Sequence, residues 1–190
     1  DEVAAVSRVT AGRMAAGYRL PPSRFRLLPN AVDPPAAAPL PRDGAGGPPR
    51  LLTVARLSKK DRYKGCDRVL RALPRVLAEV PEARYDIVGD GPLRPELERL
   101  AEQLGVRSAV RFLGYVDDDQ LEEIYRQARL MVLPSTGEGF GIVYLEAWKH
   151  GLPVVAGNRD ASCEVVADGK TGLCVDPESV DQIGRAIVRL

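Results

Sequence analysis

Residues 130–156, LMVLPSTGEGFGIVYLEAWKHGLPVVA, contain the pattern that decides the fold. Two apolar runs, 130–133 and 153–156, are short enough to be buried strands, and the stretch between them predicts a helix from about Gly141 to His150. Strands without polar alternation are typical of parallel sheets that are covered on both faces. We therefore predict a strand, a helix and a second parallel strand here, with a glycine-rich loop ahead of the helix.

The same alternation extends over most of the chain. Apolar residues at helical spacing predict helices over about 67–80, 93–104 and 121–128, with a kink at Pro74, and Ser179 is expected to cap a last helix. Further short apolar runs predict strands at 51–55, 84–88, 110–113 and 172–175. The expected fold class is α/β, a Rossmann-like doubly wound, mostly parallel six-stranded sheet with helices on both faces.

The first 50 residues lack this regularity. Residues 33–50 are rich in proline, which removes backbone donors, and in glycine, which disfavours ordered elements, so we predict a loop or linker there. Ahead of it, Thr10 is expected to cap a short helix that starts near Ala11 and ends by Gly17.

Composition disfavours several function classes. The chain has 27 basic and 26 acidic side chains, so no nucleic-acid partner is expected. Cys66, Cys163 and Cys174 form no Cys-x-x-Cys pair, and we expect three separate thiols in a reducing compartment. Because His150 is the only histidine, neither a zinc site nor a histidine-based triad is expected. No apolar run approaches the roughly 20 residues that span a bilayer.

Ligands of a doubly wound sheet bind outside the carboxyl ends of its strands, and two predicted loops there carry chemistry. The loop after residues 51–55 contains Arg56 and Lys64, which suit phosphate oxygens. The loop after residues 130–133 contains Glu138 and three glycines, and it leads into a helix whose free N-terminal amides favour an anion. These features together predict a phosphate-binding cleft between the two loops.

A second carboxylate is expected at the same cleft. Glu146 lies about a turn and a half inside the helix, and helical side chains lean toward the N-terminus, so it can reach back toward Glu138. Carboxylates accept hydrogen bonds from paired hydroxyls, such as those of a ribose or a hexose. Two cations, a helix N-terminus and two carboxylates suit a diphosphate that joins two sugars, which is a nucleotide sugar.

Several motifs resemble, in their order along the chain, those of retaining glycosyltransferases of family 4, which have the two-domain GT-B architecture. The most specific is EGFGIVYLEA at 138–147, with two glutamates separated by seven residues. The others are NAVD at 30–33, ARL at 55–57 with Lys64-Gly65, GDGP at 89–92, GYV at 114–116, GLPVVA at 151–156 and DGKTG at 168–172. The resemblance covers nearly the whole chain, but residues 157–164 lack the family's commoner Gly-Gly pair.

The resemblance implies a role for each matching residue. Glu138 would hold hydroxyls of the donor sugar, helped by the backbone of Gly139, Phe140 and Gly141. Arg56 and Lys64 would bind the diphosphate and stabilise it as it leaves, so that these two and Glu138 are the expected catalytic residues. Glu146 would hold the ribose, and Val116 and Ile142 would line the base and ribose pocket. The implied hexosyl transfer retains the anomeric configuration and needs no metal or other cofactor.

The resemblance also implies a domain organisation and a setting. Residues 1–50 would be the tail of a missing N-terminal domain plus a linker, and residues 51–190 the nucleotide-sugar-binding domain. The missing domain would recognise a glycan or glycolipid acceptor, so this chain alone is expected to bind a donor but to be inactive. A cytoplasmic location is implied, with peripheral association at the inner face of the membrane as a further expectation.

Other functions stay open at this point. The Gly89-Asp90-Gly91 segment suggests a nicotinamide-dependent Rossmann enzyme, but Arg94 stands at the third glycine position and the strand at 110–113 ends without a carboxylate. A non-catalytic nucleotide-sugar-binding module, a sugar-nucleotide epimerase and a phosphorylase-like enzyme of the same fold are the remaining alternatives.

Overall fold

The computed structural model describes residues 2–34 and 47–190. Within this part, the strands form a two-stranded and a six-stranded sheet, and all pairings between named strands are parallel. The small sheet contains β1 (Val3–Ala5) and β2 (Phe25–Leu27); the large one contains β3 (Arg50–Val54), β4 (Arg84–Val88), β5 (Val110–Gly114), β6 (Leu130–Leu133), β7 (Val154–Gly157) and β8 (Gly172–Val175). The predicted six-stranded α/β fold is confirmed, and the small sheet is an addition.

The strand order of the large sheet fixes where a ligand can bind. The order is β5-β4-β3-β6-β7-β8, so the chain builds outward from β3 in one direction and then returns to β6 and builds in the other. Leu51 and Leu52 of β3 are in register with Leu130 and Met131 of β6. At this topological switch point, the loops that leave the two strands diverge to opposite faces and open a crevice.

Helices cover both faces of the large sheet. Right-handed crossovers place the helices that follow β3 and β4 on one face and those that follow β5, β6 and β7 on the other. The contacts agree, because α2 packs against α3 and α7, whereas α4 contacts α5. The helices are α1 (Arg8–Tyr18), α2 (Cys66–Glu79), α3 (Arg94–Gln103), α4 (Asp118–Gln127), α5 (Ile142–Lys149), α6 (Ser162–Val165) and α7 (Val180–Arg189).

The core explains why the strands could be recognised in the sequence. Leu52, Tyr85, Ile87, Met131 and Val155 lie on four central strands and have no exposed surface. Both faces of these strands are buried, so apolar residues do not alternate with exposed polar ones, and the polar Thr53 of β3 and Asp86 of β4 are themselves buried. At roughly 1.5–3 kcal/mol for each large apolar side chain, this burial is the main stabilising contribution to the sheet that carries the loops.

The amino-terminal segment differs from the prediction. The helix there is α1, and its N-cap is Ser7 and not Thr10: the Ser7 Oγ accepts a hydrogen bond of 3.0 Å from the Thr10 amide. A hydroxyl caps the turn that follows it, so the earlier serine takes the role and Thr10 lies inside the first turn. Residues 35–46 of the predicted linker lie outside the described residues.

The prediction of three separate thiols is wrong. Cys163 in α6 and Cys174 in β8 form a disulfide, with Cα atoms 6.2 Å apart. Cys66, at the start of α2, is a free and buried thiol, and burial raises its pKa to about 12. The pairing depends on the packing of α6 beside the end of the sheet, which the spacing of the cysteines does not indicate.

Candidate functional site

An open cleft of about 390 Å³ lies at the carboxyl ends of β3 and β6, where the strand order reverses. Six of the nine residues that the sequence predicts for the site line this cleft: Lys64, Glu138, Gly139, Phe140, Gly141 and Ile142. Val6, Asn30, Val54 and Val143 complete its lining. Arg56, Val116 and Glu146 are outside the lining, so the predicted set is divided between the cleft and its surroundings.

Lys64 and Glu138 form an ion pair inside the cleft. Lys64 ends a 3-10 helix, Lys59–Lys64, in the loop after β3, and its Nζ lies 2.6 Å from the Oε1 of Glu138 in the loop after β6. Their side chains are only 14% and 11% exposed. Burial lowers the pKa of Lys64, but the hydrogen bond and charge of Glu138 outweigh it, so the pKa lies above its ordinary value. Lys64 is therefore a protonated cation at neutral pH.

The N-terminus of α5 opens into the same cleft. Gly141 is its N-cap, and no side chain of the described residues caps the helix. Gly141, Ile142 and Val143 all line the cleft, so the unpaired amides of the first turn and the positive end of the helix dipole are available to an anion there. Gly141 has φ +87°, and a Cβ at this position would lie 2.3 Å from the Tyr144 ring. Only glycine fits this turn.

Arg56 follows β3, but it is not one of the residues that line the cleft. Its side chain is 80% exposed, and its Nη2 lies 3.3 Å from the Oδ1 of Asp61. Asp61 is buried and also accepts a hydrogen bond of 2.6 Å from the Ser58 hydroxyl. An exposed arginine held by one weak contact costs little to reorient, so Arg56 is a cation at the rim of the site.

The second predicted carboxylate, Glu146, lies on α5 beyond the first turn. It is half-buried, and its Oε2 accepts a hydrogen bond of 2.9 Å from the hydroxyl of Tyr125 in α4. Val116, after β5, packs partly buried against the core next to the N-terminus of α4. The sequence interpretation assigns both Glu146 and Val116 to the nucleoside, and the structure places neither of them in the lining of the cleft.

Several residues that fix the glycine-rich loop were missed by the sequence interpretation. The hydroxyls of Ser7 and Thr10 both donate to the Gly139 carbonyl, over 2.7 and 3.0 Å. The buried Asp160 accepts from the amides of Glu138 and Ser162, over 2.6 and 2.9 Å. The only sequence signal is polar residues at helix starts, which is too common to identify a site.

The α1 and α6 segments are also joined directly. Glu164 of α6 accepts hydrogen bonds of 2.8 and 2.7 Å from the amides of Arg8 and Val9 at the N-terminus of α1. A carboxylate at a helix N-terminus satisfies free amides and complements the helix dipole. The two segments that hold the Glu138 loop, one at the start of α1 and the other at the start of α6, are thereby tied to each other.

Comparison with known proteins gives a family to this geometry. Residues 48–190 match the family described as glycosyl transferases group 1. The chain belongs to this family. A GDP-mannose-dependent alpha-(1-6)-phosphatidylinositol monomannoside mannosyltransferase of Mycolicibacterium smegmatis is 37% identical over 98% of the chain and 52% of its own length. A D-inositol 3-phosphate glycosyltransferase of Rhodococcus opacus is 30% identical over 100% of the chain and 45% of its own length.

Two solved structures share the fold of this group 1 chain. WaaG, a glycosyltransferase involved in lipopolysaccharide biosynthesis, superposes with a TM-score of 0.81 at 26% identity, over 99% of the chain and 53% of WaaG. A sucrose-phosphate synthase of Thermosynechococcus elongatus superposes with a TM-score of 0.79 at 28% identity, over 100% of the chain and 48% of the synthase. The chain thus spans about half the length of its relatives.

The glycines that suggested a nicotinamide enzyme have a packing role in this group 1 glycosyltransferase chain. Gly89 has φ +122°, and a Cβ there would lie 1.9 Å from the Ala55 carbonyl oxygen. A Cβ at Gly91 would lie 2.5 Å from the carbonyl oxygen of Leu57. These glycines let the loop after β4 lie directly against the loop after β3, so they need no dinucleotide to account for them.

Two further observations concern metals and membranes. Within residues 2–34 and 47–190, no three histidine, cysteine or acidic side chains are grouped so that they could hold a metal ion. None of the helices described there is both long and apolar enough to cross a bilayer. The expected metal independence of the reaction stays a prediction.

Proposed function

We propose that this chain is the donor-binding part of a retaining glycosyltransferase of family 4 with the GT-B architecture. The observation that carries the proposal is the Lys64–Glu138 ion pair beside the open N-terminus of α5, at the switch point of the sheet. A cation, free amides and an acceptor carboxylate within one cleft match the phosphate and hydroxyl groups of a nucleotide sugar. Membership of the glycosyl transferases group 1 family supports this assignment.

The donor is proposed to lie across the N-terminus of α5. Its diphosphate binds the amides of Ile142 and Val143 together with Lys64 and Arg56, which stabilise the charge that develops as the diphosphate leaves. Glu138 and the backbone of the glycine loop hold hydroxyls of the transferred sugar. Glu146 holds the ribose. The reaction breaks the bond between the anomeric carbon and the diphosphate and forms a new one to an acceptor hydroxyl with the same anomeric configuration.

Donor binding is proposed to exchange the partner of Lys64. Its ammonium group is hydrogen-bonded to Glu138, which leaves that carboxylate partly occupied. A diphosphate has more charge than a single carboxylate and attracts the ammonium more strongly. Transfer of Lys64 to the diphosphate frees Glu138 to accept sugar hydroxyls, so recognition of the two halves of the donor is coupled.

We propose GDP-mannose as the donor and a glycan or glycolipid as the acceptor. The donor proposal is supported by the Mycolicibacterium smegmatis relative at 37% identity, which is named a GDP-mannose-dependent mannosyltransferase. The acceptor proposal is supported by the phosphatidylinositol monomannoside in the name of the same relative. Because the chain spans about half of that relative, acceptor binding and transfer are proposed for the whole protein. Donor binding is proposed for this chain.

Calorimetric titration of the chain with GDP-mannose, GDP, UDP-glucose and NAD tests the donor assignment. We expect GDP-mannose and GDP to bind, UDP-glucose to bind more weakly, and NAD not to bind. Binding of NAD without any nucleotide sugar would overturn the proposal. For the full-length protein, NMR of the product's anomeric configuration tests whether the reaction is retaining. Turnover in excess chelator tests metal independence, and we expect it to be unchanged.

Variants separate the two carboxylates. Glu146→Gln is expected to weaken GDP binding about tenfold, because a charge-assisted hydrogen bond to the ribose is lost. Glu138→Gln releases Lys64 from its ion pair, so it is expected not to weaken GDP binding but to remove the preference for GDP-mannose over GDP. Glu102→Gln, an exposed change on α3, is the matched control and should change neither affinity. Normal GDP-mannose binding by both site variants would contradict the assignment.

A further inference from the structure

We infer that Tyr125 is a positioning residue for nucleotide binding, which holds Glu146 in the orientation that receives the ribose hydroxyls. The inference rests on the proposed function, in which Glu146 contacts the ribose. In the sequence, Tyr125 is one of the apolar residues at helical spacing within the predicted helix over about 121–128. Its position in the structure gives it a second task.

The contact joins two helices on the same face of the sheet. The Tyr125 hydroxyl, from the last turn of α4, donates a 2.9 Å hydrogen bond to the Oε2 of Glu146 on α5. Among the described residues, no second hydrogen bond to the Glu146 carboxylate is made, so Oε1 is left available to a ligand. One oxygen is therefore fixed by the protein while the other can accept from a hydroxyl.

The tyrosine itself cannot easily turn away. Its side chain is 2% exposed, and its ring stacks on His150 with centroids 5.0 Å apart and planes inclined by 4°. His150 follows α5, and its Nε2 lies 3.4 Å from the Oε2 of Glu122 on α4. Tyr125 is thus held between the two helices by packing on one side and by Glu146 on the other.

The hydroxyl also stays a donor over a wide pH range. Burial, and then the neighbouring charge of Glu146, raise the pKa of Tyr125 far above that of a free tyrosine. A neutral hydroxyl facing a carboxylate can only donate to it, so the polarity of the contact is fixed. A carboxylate held in advance loses less conformational freedom on binding than one that must be ordered by the ligand.

The experiment compares Tyr125→Phe with the wild-type chain for two probes, GDP and its 2′,3′-dideoxy analogue. Loss of a charge-assisted hydrogen bond is expected to weaken GDP binding about five- to tenfold, while the analogue, which lacks both ribose hydroxyls, binds both proteins equally. In a Glu146→Ala background, Tyr125→Phe should have no further effect on GDP, because the group it positions is gone.

The matched control is Tyr85→Phe. Tyr85 is equally buried and shares a 2.8 Å hydrogen bond with Thr53, but it lies on β4, away from α5. The Tyr85→Phe variant should be less stable than the wild type, but the ratio of its affinities for GDP and for the dideoxy analogue should be unchanged. Should Tyr125→Phe fold poorly, His150→Ala provides a second variant, since loss of the stacked ring should loosen Tyr125 and give a smaller loss confined to GDP.

The outcomes distinguish the inference from the proposed function. Normal GDP binding by Glu146→Gln would overturn the ribose role that the proposed function gives to Glu146. Weakened binding by Glu146→Gln but normal binding by Tyr125→Phe would overturn the positioning role alone. An equal loss for GDP and the dideoxy analogue in Tyr125→Phe and His150→Ala would also overturn it, because a general packing defect does not depend on the ribose hydroxyls.

Discussion

Lys64 and Glu138, which are 74 residues apart in the sequence, form a 2.6 Å ion pair in which neither side chain is more than 14% exposed. The pair joins the loop after β3 to the loop after β6, and both residues line the cleft at the switch point. A buried charge pair costs more to break on one side than to remove altogether. This asymmetry gives the first prediction.

Lys64→Met is expected to lower the free energy of unfolding by about 3 kcal/mol, because Glu138 remains buried without its cation. The double variant Lys64→Met/Glu138→Gln should recover at least half of this loss, since no unpaired charge remains. Urea unfolding of the wild type, both single variants and the double variant measures the coupling. Strict additivity of the two single losses would show that the side chains do not interact.

Gly141→Ala is expected to lower the free energy of unfolding by about 3 kcal/mol and to abolish nucleotide binding. Alanine must adopt φ +87°, and its Cβ must displace the Tyr144 ring. That ring is held in place by hydrogen bonds from its hydroxyl to the Leu133 carbonyl and with the Ser162 hydroxyl. The matched control is Gly105→Ala, since Gly105 has φ +68° with open space around its Cβ. It should cost only about 1 kcal/mol. Equal losses for both variants would contradict the steric argument.

Stability is expected to fall steeply above about pH 9. Burial raises the pKa of Cys66 from 9.0 to about 12, and it raises the pKa values of Tyr85, Tyr125 and Tyr144 well above 10.0. The unfolded chain releases these protons near pH 9 and 10, whereas the folded chain keeps them. The unfolded state therefore binds fewer protons, and the free energy of unfolding decreases as the pH rises.

An absorbance titration of tyrosinate, followed together with circular dichroism, checks this pH dependence. Ionisation of the three buried tyrosines should coincide with the loss of secondary structure instead of preceding it. Tyr125→Phe removes one of these groups, so the absorbance change that accompanies unfolding should correspond to one tyrosine fewer than in the wild type. Ionisation of all three in a chain that remains folded would contradict the expected linkage.

Thiol titration is expected to distinguish the cysteines. Cys163 and Cys174 form a disulfide, and Cys66 is buried with a raised pKa, so the native, oxidised chain should react with almost no thiol reagent. In denaturant, one thiol should react before reduction and three after it. Cys66→Ser should leave none before reduction. Three reactive thiols in the unreduced, denatured chain would mean that the disulfide does not form.

The doubly wound fold was predictable because burial on two faces leaves a direct record in the sequence. Strands such as β6 and β7 are continuously apolar, whereas helices such as α2 have apolar residues on one face only. The two patterns of apolar residues therefore distinguish strands from helices in the sequence. Short elements left no such record. The two three-residue strands of the small sheet and the four-residue α6 are too short to show a period.

The candidate site was predictable where its residues follow strands. Lys64, Glu138 and the glycine loop were expected at one cleft because they follow β3 and β6, and the structure brings them together there. Arg56 was expected in the same cleft but lies at its rim, paired with Asp61. The direction of the Arg56 side chain depends on the position of the buried Asp61 carboxylate, and the spacing of residues in the sequence does not predict that position.

The sequence by itself determined the order of strands and helices, the loops that carry charge and the helix start that can receive an anion, because each of these follows from local periodicity and residue type. Only the tertiary structure decided which distant groups meet: Lys64 with Glu138, Tyr125 with Glu146, Asp160 with the Glu138 amide, and Cys163 with Cys174. Such contacts are set by how whole elements pack across the sheet. Packing depends on the shapes of many side chains at once, and no short stretch of sequence contains that information.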